Sequence, residues 1–229
     1  MTFLNSAFAL GNIVFEHSGT NRVINETWFT HVGVDELDPD KTFESEMKAA
    51  LGTEDSPGVL DVYSSGLGWS TTSASPNSKV GYITLFPFQF ALGGLELEKL
   101  RVQGDGVTMT WVSFPDGLFE KAFLGSNLVH EIGHWAGLFH TFTTQQEPGS
   151  CEGPGDYVRD TPVQAYAAHL KLSAFDTTCV AQDTCPNNPG SDAINNYMDY
   201  APEACRTEFT PGQFKRMRDI LSLYRDIET

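Results

Sequence analysis

Basic residues are scarce in this chain of 229 residues, which has 14 Lys and Arg against 30 Asp and Glu and a formal net charge of -16. Nucleic acids and anionic membranes attract proteins through clustered positive charge, so we expect neither as a partner. Long apolar runs are also lacking, since no stretch approaches the ~18 consecutive apolar residues of a membrane-spanning helix. Gly and Pro are spread along the chain rather than gathered in a linker. We therefore expect one domain over 1–229, acting as a monomer.

Cysteine is sparse too, and all four cysteines lie in the last third of the chain: Cys151, Cys179, Cys185 and Cys205. Their surroundings are rich in Gly, Pro, Asp and Asn, where a hydrophobic core would be thin. This favours two disulfides and export from the cytosol. A zinc site made only of cysteines is the alternative, but no close C-x-x-C pair supports it. The first ten residues lack the basic residues and the apolar run of a signal peptide, so we expect a mature form.

Short runs of β-branched and aromatic residues bounded by turn residues predict four strands, at 12–15, 59–63, 81–86 and 106–112. Apolar residues at helical spacing predict helices at 38–52, from about Leu118 to Gly137, and from Thr210 to Ile227. Thr210 is expected to cap the last of these helices. The middle helix should bury one face, made of Leu124, Leu128, Ile132 and Trp135.

This middle helix is expected to contain the metal-binding and catalytic residues, because residues 130–140 fit the pattern H-E-x-x-H-x-x-G-x-x-H in full. His130 and His134 point about 40° apart on a helix, so both imidazoles can meet one ion. A positive φ at Gly137 would turn the chain and let His140 supply a third nitrogen. Three neutral ligands leave zinc an open position for water. We therefore predict one catalytic zinc, with Glu131 beside it as general base.

A second motif follows at 195–200, where Met198 lies in the turn expected after such a helix. Its thioether is expected to pack beneath the three imidazoles. The hydroxyl of Tyr200, two residues further on, would be suited to bond the oxyanion of a tetrahedral intermediate. Residue chemistry alone does not decide between that role and an ordinary tyrosine.

Together these residues resemble the pappalysins, a family of metzincin metallopeptidases, and particularly their smaller secreted microbial and fungal members. The matching segments are Leu4–Phe8, Leu67–Trp69, Asp105–Val107, His130–Phe142, Asp160–Pro162, Asn196–Tyr200 and Phe209–Gln213. The resemblance implies an α+β fold. Its upper subdomain, about 1–137, would have a twisted mixed sheet and two long helices, and its lower, irregular subdomain, about 138–229, would end in a helix. The cleft would lie between them, with Tyr200 at the zinc.

Further site residues are implied by the resemblance. Residues 155–162 match a run near which family members bind calcium, which implies oxygens from Asp156 and Thr161 as ligands. The alternative is a turn capped by Asp156. Disulfides in similar members interleave, which implies the pairs Cys151 with Cys185 and Cys179 with Cys205.

The resemblance also bears on specificity. Some relatives carry an acidic residue before the last cysteine, at the base of the primed-side pocket, and prefer Arg or Lys after the cut. Ala204 holds that position here, so we expect no strict preference of this kind. Glu203 is the alternative pocket acid, if Pro202 shifts the loop.

The leading hypothesis is a secreted enzyme that hydrolyses peptide bonds of proteins or peptides. An enzyme that cuts another amide would share the zinc ligands, but the resemblance beyond them speaks against it. A binding protein that kept only the metal fold would be expected to have lost the glutamate. Glu131 is present.

Overall fold

The computed structural model describes residues 1–53, 57–68, 80–83, 86–88, 104–115, 123–142, 150–165 and 178–228. Within these ranges the helices are α1 (Thr2–Phe8), α2 (Glu26–His31), α3 (Thr42–Leu51), α4 (Ser126–Trp135) and α5 (Pro211–Arg225), and the strands are β1 (Val62–Ser65), β2 (Gly81–Ile83) and β3 (Val107–Thr110). The fold is α+β, as predicted. No helix in this part of the chain is long and apolar enough to cross a membrane.

The three strands form one small mixed sheet in the order β1-β3-β2. The central strand β3 pairs in parallel with β1, where Val62 faces Val107, and antiparallel with β2, where Gly81 faces Met109. All four residues of β3 are buried. This order leaves β2 at an edge of the described sheet. Three of the four predicted strands are present with altered bounds. β1 is shifted toward the C-terminus of the predicted 59–63, and β2 and β3 are shorter than the predicted 81–86 and 106–112. Residues 84–85 lie outside the described part.

The predicted strand at 12–15 is wrong. Asn12 has a left-handed φ of 55°. The side chain of Asn5 makes hydrogen bonds to both the backbone N–H and the backbone C=O of Phe15. Its Oδ1 accepts from the Phe15 nitrogen at 2.9 Å, and its Nδ2 donates to the Phe15 oxygen at 3.0 Å. An asparagine on α1, a helix that the sequence pattern did not predict, therefore replaces a neighbouring strand.

The predicted helices are present, but two of them begin later than expected. Asp38 accepts from the backbone nitrogens of Phe43 and Glu44 at 3.0 and 3.1 Å, so it caps α3 rather than belonging to it. Gly125, with a φ of 102°, precedes α4. Leu124 is 40% exposed, and its predicted place on the buried helix face is wrong. Residues 118–122 of that predicted helix, and Trp69 of the matched segments, lie outside the described part.

The final helix begins as predicted, with Thr210 accepting from the backbone of Gln213 in a capping box. One core cluster joins α1, β3, α4 and α5 through Phe8, Met109, Ile132, Trp135, Met198, Phe209, Phe214, Met217 and Leu221, among others. This cluster lies directly behind the histidines of α4. It supports the face of the helix that points away from the cleft.

Candidate metal centre

Three histidines meet at the end of α4. The Nε2 atoms of His130, His134 and His140 lie 3.0 to 3.2 Å from one another. A tetrahedral zinc ion with Zn–N bonds of about 2.0–2.1 Å would separate its nitrogens by roughly 3.3 Å, so the spacing fits one ion. In the described part of the chain, this is where three or more potential metal-ligating side chains of His, Cys, Asp or Glu converge.

Backbone carbonyls orient two of these imidazoles. His130 donates from Nδ1 to the Tyr197 oxygen at 2.6 Å, and His134 donates from Nδ1 to the Leu138 oxygen at 2.7 Å. These bonds leave Nε2 unprotonated and facing the centre. Burial lowers the pKa of His134 to about 4 and the pKa of His140 well below its ordinary value. The imidazoles are therefore neutral, which is the form that binds a metal.

The turn after the helix has the conformation that the motif predicts. Gly137 has a φ of 95°, and a Cβ there would meet Ile220 of α5. The backbone nitrogens of Gly137 and Leu138 donate back to His134 and Gly133 at 2.8 and 2.9 Å, which ends the helix in a Schellman-type turn. Any other residue at 137 would be strained and would push α5 away. The turn brings His140 back to the other two histidines.

Glu131 is buried between the helix and the edge strand. Its Cγ would lie 3.1 Å from a Cβ at Gly81, so the glycine allows β2 to approach the helix closely. Burial raises the pKa of Glu131 to about 8, and the positive charge of Arg206 acts in the opposite direction. A carboxyl group that titrates close to neutrality suits a proton acceptor and donor. A cation among the histidines would favour its ionised form.

The turn that contains Met198 is fastened to the segment after His140. The Thr141 nitrogen donates to the Met198 oxygen at 3.2 Å. Asp199 accepts from Thr141 Oγ1 at 3.3 Å, from Gln164 Nε2, and from the Ala201 nitrogen at 2.7 Å. Met198 itself is fully buried. These bonds hold the turn against the segment that follows His140.

Tyr200 extends from this turn into the cleft. Its ring centroid lies 4.6 Å from that of His140 and 5.7 Å from that of His130, and 43% of the residue is exposed. The cleft encloses about 360 Å³. Its described lining contains the three histidines, Glu131, Tyr200 and residues of β2, together with Phe86, Phe139, Phe142, Pro154, Gly155 and Tyr157.

Glu203 and Ala204, proposed for the substrate pocket, are absent from this described lining. Glu203 instead places Oε2 2.8 Å from the backbone nitrogens of Leu124 and Ser126, at the start of α4. Ala204 is exposed. A carboxylate at a helix N-terminus satisfies free N–H groups and complements the helix dipole. In this structure the Glu203 carboxylate therefore caps the start of α4, and its suggested role in the substrate pocket stays a prediction.

Arg206 is a site residue that the sequence did not reveal. It is 6% exposed, and its Nη2 donates to Asn127 Oδ1 on the first turn of α4. Burial lowers the pKa of Arg206. The negative charges of Glu203, Asp199 and Glu131, which lie nearby, act in the opposite direction but do not outweigh burial. A buried cation therefore lies beside Glu131, on the side of the centre near the N-terminus of α4. Only its position after Cys205 could have hinted at this.

At the expected calcium position, Asp156 and Thr161 contact each other. Asp156 Oδ1 accepts from Thr161 Oγ1 at 2.5 Å and from the Val158 nitrogen at 2.9 Å. Asp156 is 3% exposed, and its Oδ2 is buried without a hydrogen-bond partner. The turn capped by Asp156 is thus present, and it leaves Oδ2 of Asp156 without a hydrogen-bond partner.

The disulfide pairing is confirmed. Cys151 is bonded to Cys185 and Cys179 to Cys205, across sequence separations of 34 and 26 residues. In the chain-entropy model, loops of this size are worth roughly 3–4 kcal/mol each. The second bond lies beside Glu203 and Arg206, so it holds the turn that contacts the start of α4.

Comparison with known proteins agrees with this geometry. A family model described as pregnancy-associated plasma protein-A matches residues 119–222. An extracellular metalloprotease of Pyricularia oryzae is 36% identical over 97% of this chain and 65% of its own length. An extracellular metalloprotease of Colletotrichum graminicola is 35% identical over 98% of this chain and 67% of its own. The chain thus spans about two thirds of the length of such relatives.

Solved structures show the same similarity. Mature mirolysin of Tannerella forsythia, in complex with a cleaved peptide, is 26% identical with a TM-score of 0.52 over 79% of this chain and 61% of that one. Mirolysin in complex with a small compound is 29% identical with a TM-score of 0.53 over 77% of this chain and 59% of that one. The similarity therefore extends to the fold as well as the motif.

Proposed function

This chain belongs to the pappalysin family of metzincin metallopeptidases, and from that premise we propose that it is an exported zinc-dependent endopeptidase acting on proteins or peptides. The observation that carries the proposal is the convergence of three neutral imidazoles, whose Nε2 atoms lie within 3.2 Å of one another, in a cleft that Glu131 also lines. The names of its relatives and its two disulfides support export. We also propose that the protein is a monomer.

A zinc ion held by His130, His134 and His140 would supply a Lewis acid and lower the pKa of a bound water. The remaining work falls to the chain's own groups. Glu131 accepts the proton of the attacking water and delivers it to the leaving amine. Tyr200 bonds the developing oxyanion through its hydroxyl. The position of its ring beside His140 and His130 supports this role.

The remaining parts of the proposal concern the division of the chain and a second metal. The division falls near Gly137, where α4 ends, giving an upper part of about 1–137 and a lower part of about 138–229. A structural calcium ion at Asp156 and Thr161 is the hypothesis for the second metal. The buried, unpartnered Oδ2 of Asp156 supports it, since calcium prefers carboxylate oxygen.

The proposal is tested by mapping cleavage of a denatured protein, with and without a zinc chelator. Glu131→Gln should lower the rate by at least about 10³-fold while zinc content stays near one per chain, because the residue moves protons and does not ligate. His140→Ala should lower zinc content itself. Glu16→Gln, at an exposed glutamate outside the cleft, is the matched control and should keep full activity. Loss of zinc in Glu131→Gln, or chelator-resistant cleavage, would refute the proposal.

A further inference from the structure

Four aromatic rings form a cluster that we call the aromatic wall: Phe86, Phe139 and Tyr157, which line one end of the cleft, and Phe88, which packs on Phe86. Phe86 stacks on Phe88 at 5.2 Å between centroids and tilts against Phe139 at 5.2 Å. Tyr157 continues the row, 5.7 Å from Phe139. None of the four is buried, and Tyr157 is 54% exposed. The cluster therefore presents apolar ring surface to solvent.

The aromatic wall adjoins the metal centre directly. The ring of Phe86 meets that of His134 edge-on at 5.6 Å between centroids. Phe86, Phe139 and Tyr157 line the same cleft as the histidines, with Pro154 and Gly155 beside them. A peptide bound with its scissile bond at the centre would therefore place a neighbouring side chain against these rings.

Polar contacts from behind hold the wall in place. The guanidinium of Arg216, on α5, lies 5.1 Å from the centroid of Phe139, and its Nε donates to the Gly137 oxygen at 2.9 Å. Tyr157 has a left-handed φ of 63°, a conformation that bulky residues rarely adopt unless their surroundings impose it. The neighbouring carboxylate of Asp156, bonded to Val158 and Thr161, fixes that backbone. A strained, anchored backbone that presents a half-exposed ring suggests a binding role.

The direction of β2 tells which part of a substrate would meet the wall. This edge strand runs from Gly81, beside Glu131, toward Phe86, beside His134. An extended peptide can add to such an edge as a further strand, most often antiparallel. It would then run from the His134 side toward the Glu131 side. The residues before the cut would lie along the aromatic wall, and those after it near Asn127 and Arg206.

We propose that the aromatic wall is a specificity subsite that binds an aromatic or large aliphatic side chain of the substrate on the N-terminal side of the scissile bond. The inference rests on the proposed peptidase function. Stacking against Phe139 and Tyr157 removes apolar surface of both partners from water and adds ring–ring attraction. A small or acidic side chain gains neither.

The test uses a pair of peptides that are identical except at one position, no more than three residues before the cut, where one has Phe and the other Ala. Both peptides are tested on wild type and on the variant Tyr157→Asn. Asn tolerates the left-handed backbone and removes the ring. We expect wild type to favour the Phe peptide by about tenfold in kcat/KM, and Tyr157→Asn to lose most of that preference through a larger loss on the Phe peptide than on the Ala peptide. Phe29→Ala, at an exposed ring on α2, is the control and should keep the preference.

Equal losses on both peptides, or an unchanged preference in Tyr157→Asn, would overturn the subsite. An aromatic preference that maps after the cut in a protein digest would overturn its placement. Binding of the Phe peptide to Glu131→Gln, with and without Tyr157→Asn, separates the subsite from the chemistry. If wild type cleaves nothing, the proposed function fails, and a tenfold loss of affinity on removing the Tyr157 ring still supports the wall. An unchanged affinity counts against it.

Discussion

The sulfur of Met198 packs so closely on Gly133 that a Cβ on residue 133 would overlap it. Gly133 lies in the last turn of α4, between the first two histidines in sequence and facing the core. The missing side chain lets the turn that contains Met198 press against the helix. The spacing between His130 and His134 on one side, and Tyr200 on the other, depends on that contact.

Gly133→Ala should therefore destabilise the protein, against the direction of helix propensity. Propensity alone predicts a gain of roughly 1 kcal/mol for Ala over Gly inside a helix, whereas overpacking costs about 1–3 kcal/mol. Urea unfolding measures the net change. Gly19→Ala is the matched control, since a Cβ at residue 19 meets nothing within 4 Å. A variant as stable as wild type would show that the turn can move away freely.

Glu203→Gln should lower stability because it weakens the cap on α4. The carboxylate accepts from Leu124 and Ser126 at 2.8 Å and is 7% exposed. A neutral amide keeps the shape but loses charge-assisted bonding and the attraction to the helix dipole, worth about 1–3 kcal/mol. The exposed Glu208, changed to Gln in the same way, is the control. Equal unfolding free energies for the two variants would contradict the cap.

Cleavage should not be concentrated before Arg or Lys. Ala204 has no charge, the Glu203 carboxylate is committed to α4, and Arg206 places a buried cation on that side of the cleft. A substrate cation there would be desolvated without a partner, at a cost of about 1–3 kcal/mol. Sequencing the fragments of a protein digest measures the preference. A large majority of cuts before Arg or Lys would show that another acid serves the pocket.

Comparison with Asp156→Asn should show that the buried carboxylate lowers the free energy of unfolding in a pH-dependent way. Burial raises the pKa of Asp156 from 3.8 to about 6. The folded protein then binds this proton more tightly than the unfolded chain, so the wild type loses stability relative to the variant as pH rises from about 4 to about 6, by on the order of 3 kcal/mol. The full cost remains above pH 6 and is absent below pH 4.

Unfolding in urea across this pH range, first in a calcium chelator and then in calcium, gives the measurement for Asp156. Bound calcium favours the carboxylate and should abolish the loss. Asp183→Asn, at an exposed residue, controls for general charge effects. No pH-dependent difference in the chelator would contradict the buried carboxylate, and no effect of calcium would count against the calcium hypothesis.

Arg225→Lys should be nearly as damaging as Arg225→Met. The guanidinium donates to both oxygens of Asp105 at 2.7 and 2.9 Å and lies 3.8 Å from the centroid of Trp135 on α4. Lysine keeps the charge but loses the planar fork and the stacking. We expect about 2–4 kcal/mol of lost stability for each variant, because Arg225 is 1% exposed. A Lys variant close to wild type in thermal unfolding would mean that charge alone matters.

The sequence alone determined the parts of the site that depend on local spacing. Residues four apart on a helix share a face whatever surrounds them, so His130 and His134 had to meet, and Gly137 was needed where the chain turns. The cap at Thr210 followed for the same reason. The disulfide pairs came from resemblance to a family, since four cysteines allow three connectivities.

Tertiary structure decided the contacts between residues distant in the chain. Glu203 caps a helix 77 residues away, and Arg225 binds Asp105 across 120 residues. Over a separation of only 10 residues, the side chain of Asn5 takes the place of a strand partner for Phe15. No local pattern specifies such partners, because a carboxylate has the same sequence signature in a substrate pocket as at a helix end. Its partner depends on how the whole chain packs, since a buried charge is stable only where packing also supplies its hydrogen bonds.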